Sequence, residues 1–376
     1  MIRPLDIAFG TLVRHAPLLL GLALAVLAVF ILGQRFGILG ERLTLHPDSL
    51  ANGVGGTSAR EVEIYSLLPR DGIRSIDQPK LVSGDAAAGQ MADSELVLGL
   101  VIDGEARAYP INMLSRHEIV NDVVAGVPIA VTYCPLCFTG IVFDRRIDGE
   151  TLEFGVSGKL VMNDLVMYDR QTGSLWQQIL GEGIRGRFLG EKLTPLPAVH
   201  TTWRQWRTIH PDTAVLDKGG GYDRDSYGAY YGRGDRGVIP GSGGDPRLDG
   251  KALVLGVVAA ATPKAYPFDS LASSAVVNDS VGGTAIAVFY DARSQTAVVM
   301  DRRLDGRELS FDLAPQAEPG HLVVVDRETG TSWSALSSEA LSGPLAGQRV
   351  TQLPATYAFW VAWSDFYTQT ELYEAC

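Results

Sequence analysis

The chain has 376 residues, of which 46% are hydrophobic, with a net charge of −11 and a pI near 5.1. That length gives room for two ordinary domains plus accessories, and the hydrophobic share supports a full-sized core. The acidic balance excludes a nucleic-acid surface, which requires a basic face.

Residues 1–15 form a short tail. Ala16 to Gly33 is a run of 18 residues without a charge, just long enough to cross a bilayer's hydrocarbon. Arg3 and Arg14 precede it and Arg35 and Arg42 follow, so the flanking charges set no firm orientation. No small-x-small cleavage site follows the run, which favours an uncleaved transmembrane anchor over a removed signal peptide. An N-terminal anchor of this kind leaves its short N-terminus in the cytoplasm. The globular part is then expected in the periplasm or outside the cell, where a Cys-x-x-Cys pair can stay oxidised.

Residues 34–95 are mixed and polar, with turn signals at Gly53–Ser58, Pro69–Gly72 and Ser83–Asp85, and read as an ordered extension packed on the body with one short strand. From Leu96 the pattern changes to short apolar runs separated by Asp-Gly turns. Asp103-Gly104 and Asp148-Gly149 predict tight hairpins. A further strand pair is expected from Asp164–Asp169 to Ser174–Gln178 around Arg170-Gln171-Thr172-Gly173. The stretch from Thr201 to Trp206 starts with a capping Thr and stops before Pro211, which predicts a helix.

The apolar run Val131-Thr132-Tyr133 ends in Cys134-Pro135-Leu136-Cys137, which holds two of only three cysteines. Such a pair can close a redox disulfide or offer two thiolates to one metal ion. Closing a four-residue loop contributes only about 2 kcal/mol, so stability alone is a weak reason for the pair.

An internal repeat organises the rest. Leu96-Val97-Leu98-Gly99 returns as Leu253-Val254-Leu255-Gly256, an offset of 253 − 96 = 157. Ala108-Tyr109-Pro110, Val120-Asn121-Asp122 and Asp144-Arg145-Arg146 return at the same offset, as Ala265-Tyr266-Pro267, Val277-Asn278-Asp279 and Asp301-Arg302-Arg303. Trp176, Trp203 and Trp206 match Trp333, Trp360 and Trp363. No gap is needed anywhere. The expected fold is therefore α+β and mainly β: two duplicated β-rich repeats, 96–216 and 253–376, with few helices. A Gly/Tyr-rich connection, 217–252, joins them.

Positions alike in both repeats serve the scaffold most simply, and positions reactive in one alone are functional candidates. Cys134 and Cys137 face Asp291 and Ser294; His117, Glu118 and His200 face Ser274, Ala275 and Tyr357. The second repeat is thus a blank that supports the first. Its matching stretch, Phe289 to Val298, reads as strand, turn, strand, which places the cysteines on a turn as in a metal-binding knuckle. Between the repeats, Asp217, Asp223, Asp225 and Asp235 make calcium conceivable, but their spacing matches no EF-hand loop. Met162 and Met167 read as core packing, Ser157 and Lys159 as a solvated turn, and Cys376 as a residue at a frayed end.

Several motifs resemble the family called domain of unknown function 3179, over a stretch from Asp71 to the C-terminus. They are His117-Glu118-Ile119-Val120-Asn121-Asp122, Thr132 to Cys137, Phe154 to Leu160, and Val166 to Thr172 followed by Ser174-Leu175-Trp176. The resemblance implies no established activity. Some members of that family are described as selenoproteins, with selenocysteine in the Cys-x-x-Cys region, and this implies redox chemistry there.

Three functions stay open on these residues. One is a thiol-dependent oxidoreductase or redox sensor using Cys134, Cys137 and His117. Another is a copper or zinc protein whose ligands are Cys134, Cys137, His117 and His200, since thiolate and imidazole suit either metal. The last is an anchored binding or assembly module in which the cysteines staple a loop. The expected partners are the membrane, through residues 16–33, and a redox or metal-transfer protein, with no nucleic acid.

Overall fold

The computed structural model describes residues 41–45, 60–234, 237–239, 244–314 and 322–375. The expected anchor at 16–33 and Cys376 lie outside the described residues. Among those described, no helix is long and apolar enough to cross a membrane. The described chain is mainly β, with six helices of at most seven residues each.

Both predicted Asp-Gly hairpins form. Asp103 and Gly104 have φ of 46° and 84°, and Asp148 and Gly149 have 49° and 77°. Two successive left-handed residues match the right-handed twist of paired strands, so each turn closes a hairpin in two residues. They join Leu96–Ile102 to Glu105–Pro110 and Arg146–Ile147 to Glu150–Thr151. Asp164–Asp169 pairs with Leu175–Gln177, and Thr202 caps helix Trp203–Ile209 by accepting the Gln205 N–H at 3.3 Å. The extension is woven in more deeply than the single strand expected of it. Arg60–Ser66 joins Glu41–Leu45 to Phe154–Val161, and Leu81–Ser83 pairs with Ala214–Leu216.

Each half of the body carries three larger sheets beside one two-stranded hairpin. In the N-terminal half, one has the order 199–202, 96–102, 105–110, 214–216, 81–83. Another runs 195–196, 139–144, 127–134, 119–124, and the largest places 154–161 and 164–169 between the extension and 175–177. The C-terminal strands starting at 253, 262, 276, 284 and 296 become 96, 105, 119, 127 and 139 when 157 is subtracted. Matched side chains make matched bonds. Trp176 and Trp333 donate Nε1–H to Asp169 and Asp326 at 3.0 and 2.9 Å, and Trp206 and Trp363 donate to Thr213 and Thr370, each at 2.9 Å.

The halves exchange helices. Trp203 and Trp206 lie in one buried cluster with Phe289, Met300, Phe311 and Trp333 of the C-terminal half. Reciprocally, helix Trp360–Phe366 sends Ala362 and Phe366 into the cluster holding Cys134, Cys137 and Trp176. A Cβ on Gly99 would lie 2.4 Å from the Trp206 ring, and one on Gly256 2.1 Å from Trp363. Both strands therefore need glycine where the helix presses in. His200 and Tyr357, themselves 157 residues apart, stack with centroids 4.5 Å apart and planes 9° from parallel.

Candidate functional site

Cys134 closes strand Val127–Cys134 opposite Thr139, and the Cys137 N–H donates to the Cys134 carbonyl at 3.3 Å. The reversal is completed by Phe138 at φ 58°. Both cysteines are free and at most 2% exposed. A second hairpin meets them. Met162 and Asn163, at φ 48° and 64°, turn Phe154–Val161 into Asp164–Asp169. Both thiols donate to the Asn163 carbonyl, at 3.6 Å from Cys134 and 3.3 Å from Cys137. Asp164 follows directly, and its carboxylate and the two sulfurs lie within 4.8 Å of one another, all buried.

A polar network fixes Asp164 from behind. The Ile179 N–H donates to its Oδ2 at 3.2 Å, Gln177 donates to the same oxygen, and the Thr139 hydroxyl oxygen lies 3.4 Å from Oδ1. Gln178 accepts from Thr139 at 2.8 Å and donates to Thr132 at 2.9 Å. These residues are fully buried, where satisfied polar groups hold one geometry and unsatisfied ones are costly. Burial pushes Asp164 up to about 7 and raises both thiols, Cys137 furthest. Glu118 is pushed up to about 8 by burial and then by the charge of Asp164. Four acids thus share one interior, and neither carboxylate has an ion-pair partner among the described residues.

The C-terminal half and the connection seal this interior. The Phe359 N–H donates to the Cys137 carbonyl at 2.8 Å, and Phe138, Tyr230, Phe359 and Val361 form an aromatic cap. Tyr230 donates to the Leu136 carbonyl at 3.2 Å, and the Tyr231 and Tyr133 hydroxyls bond at 3.1 Å. The N–H groups of Val238 and Ile239 hold the Asn163 side chain at 2.7 and 2.9 Å. The Gly/Tyr-rich connection is thus a wall of the site.

The two histidines stand outside the group of three donor atoms. Both ring nitrogens of His117 are engaged elsewhere, Nδ1 with the Arg74 carbonyl at 2.7 Å and Nε2 with the Tyr222 hydroxyl at 2.8 Å. His200 is buried beside Gly140, and neither of its ring nitrogens makes a well-aligned hydrogen bond among the described residues. Met167 is core, Ser157 bonds the Val166 carbonyl and Lys159 bonds Ser66. Asp164, Gln177 and Gln178 were missed by the sequence reasoning. A signal existed: at the 157 offset they face His321, Ser334 and Ala335.

Burial holds His200 as the neutral ring and pushes its pKa down to about 3. The unfolded chain takes up that proton near pH 6.5 and the folded chain does not. The stability that His200 contributes is therefore full above about pH 6.5 and falls toward pH 3, by up to about 1.4 kcal/mol per pH unit. Glu118 and Asp164, pushed up to about 8 and about 7, act in the opposite sense within this window. His200→Phe should lower the slope of unfolding free energy against pH in this window by up to about 1.4 kcal/mol per unit. The slopes of His210, which burial pushes down to about 4, and of Asp164 and Glu118 remain. An unchanged slope would remove His200 as the source.

The family model described as protein of unknown function (DUF3179) matches residues 70–370, and the chain belongs to that family. No curated protein and no solved structure matches it.

Proposed function

We propose that this member of the DUF3179 family holds a copper or zinc ion on Cys134, Cys137 and Asp164. The reading rests on one observation: two thiols and a carboxylate converge within 4.8 Å in a buried interior where, among the described residues, no ion pair compensates the carboxylate. Donors around a tetrahedral zinc stand about 3.7 Å apart at zinc–sulfur distances of about 2.3 Å. Modest side-chain adjustment would therefore let the three surround an ion. Thiolate donors select copper and zinc over hard cations. Binding displaces the thiol protons, and the ion's charge offsets the buried anions it leaves. The Gln177 and Ile179 bonds would orient the carboxylate, as partners behind a ligand do.

The two halves are read as copies of one duplicated unit, of which the second has lost the ligands and kept the shell. The constant 157-residue spacing of their elements supports this. Residues 16–33 are read as an anchor that holds the body on the periplasmic or outer side of a membrane. A metal-transfer protein would then load or unload the site.

A second reading is thiol–disulfide exchange with a protein disulfide. The Cys134 and Cys137 dithiol would become a disulfide as the partner's disulfide becomes two thiols, with Asp164, close to both sulfurs, taking the attacking thiol's proton. Metal analysis and thiol counting on the purified full chain separate the two. One copper or zinc per chain, with thiols that react only after chelation, supports the first. A metal-free chain that cycles between dithiol and disulfide overturns it.

A further inference from the structure

The backbone carbonyl of Asn163 stands against both thiols, and the turn that carries it is held in place by the connection. Met162 and Asn163 take φ of 48° and 64° in succession, between strands Phe154–Val161 and Asp164–Asp169. Neither is glycine, and asparagine is among the few other residues that accept a left-handed φ readily. The N–H groups of Val238 and Ile239 donate to the Asn163 side chain at 2.7 and 2.9 Å. A Cβ on Gly237 would lie 2.3 Å from the same amide, so the connection presses closely on it. At the 157 offset Met162-Asn163-Asp164 reads Pro319-Gly320-His321, and a proline ring excludes a φ near 48°. This turn is therefore encoded only in the half that holds the cysteines.

The carbonyl accepts from both thiols, 3.6 Å from the Cys134 sulfur and 3.3 Å from the Cys137 sulfur. Both S–H groups are thus aimed at one oxygen. When the thiols give up their protons to a metal ion they can no longer donate, and that oxygen faces two thiolates. An ion among the three atoms turns the repulsion into attraction. The distances suit it: with sulfur at about 2.3 Å and oxygen at about 2.1 Å from a tetrahedral ion, sulfur and oxygen stand about 3.6 Å apart. Asp164 is the next residue in the chain, and its carboxylate lies within 4.8 Å of the same sulfurs. One turn therefore presents two oxygens where the other presents two sulfurs.

Resting on the metal reading above, we propose that the Asn163 backbone carbonyl is the fourth donor of the same ion, closing a tetrahedral site of two sulfurs and two oxygens. The ion takes the place of the two thiol protons, which leave for solvent. This donor set names the ion as zinc. Zinc accepts thiolate and oxygen together, whereas carbonyl and carboxylate oxygens suit harder cations than copper(I). Four protein donors make this a closed holding site with no open position for a substrate.

Zinc, added to the full chain, is the probe, and NMR of the carbonyl carbon is the readout. Isotope labels at asparagine carbonyl carbons and aspartate nitrogens select three peptides, Asn121-Asp122, Asn163-Asp164 and Asn278-Asp279. The spectrum of Asn163→Gly lacks one signal and so assigns it. Loss of the thiol donors alone moves a carbonyl carbon upfield, whereas coordination draws electrons from it and moves it downfield. With one zinc per chain retained through dialysis, the Asn163 signal should move downfield and the other two far less. A carbonyl that serves only as the thiols' acceptor would move the opposite way. An upfield move, or none, in a chain that retains zinc would overturn the carbonyl as a donor and leave the three-donor site standing. A chain that retains no zinc would overturn the metal reading itself, and this inference with it.

Discussion

The variants Cys134→Ser, Cys137→Ser and Asp164→Asn are each expected to weaken zinc or copper binding by a few hundred-fold while leaving the fold intact. Structural zinc contributes about 10–16 kcal/mol across four ligands, so one ligand carries about 3–4 kcal/mol. At 1.4 kcal/mol per tenfold, that is a factor of a few hundred. Asp164→Asn is the cleanest of the three. The amide keeps the volume and one oxygen for the Ile179 N–H and Gln177, and removes a charge that burial already disfavours. Metal-free stability should therefore change little. Titration against a competing chelator measures the affinity, and urea unfolding of the stripped chain measures the fold. Unaltered metal affinity in Asp164→Asn would take the carboxylate out of the ligand set. Cysteine variants that unfold outright, from a parent with neither bound metal nor thiol reactivity, would favour a loop staple, although closing four residues contributes only about 2 kcal/mol.

The cysteine pair was legible in the sequence because its chemistry is local: four residues at the end of an apolar strand, turning back on themselves. Asp164 was not, because it reaches the sulfurs from a different sheet, through the left-handed turn at Met162 and Asn163. Only comparison at the 157 offset carries that information, and it must be read position by position: Asp164 faces His321 as Cys134 faces Asp291. His117 shows the opposite failure. Its absence from the C-terminal half suggested a ligand, whereas its two hydrogen bonds tie the Arg74 segment to Tyr222 of the connection. The hairpins and the capped helix were readable because Asp-Gly and Thr act within four residues. The exchange of helices between halves was not, since nothing local says which neighbour a tryptophan will meet.

That exchange sets the last expectation: a chain ending after Leu216 should not fold, although it retains every proposed metal ligand and the strands of the N-terminal half. Cut there, Trp203 and Trp206 lose Phe289, Met300, Phe311 and Trp333, and the cysteine cluster loses Ala362 and Phe366. A tryptophan buries about 150–250 Å². At about 25 cal/mol per Å², burial of each contributes about 4–6 kcal/mol in all, of which Trp206, pressed on Gly99 and bonded to Thr213, keeps a share in the fragment. Phe366, fully buried, adds about 3–5 kcal/mol by the cost of truncating such a side chain. The loss amounts to about 5 kcal/mol or more, a large part of the whole stability of an ordinary domain at about 5–15 kcal/mol. It also exposes the Cys137 carbonyl that the Phe359 N–H satisfies. The fragment should show broad, poorly dispersed NMR signals and rapid proteolysis, and mixing it with a separately expressed 244–376 fragment should restore cooperative unfolding. A fragment that unfolds cooperatively alone and binds metal like the full chain would show that the C-terminal half is dispensable to the site. It would also turn the seal of Phe359, Val361, Ala362 and Phe366 into simple contact between two independent domains.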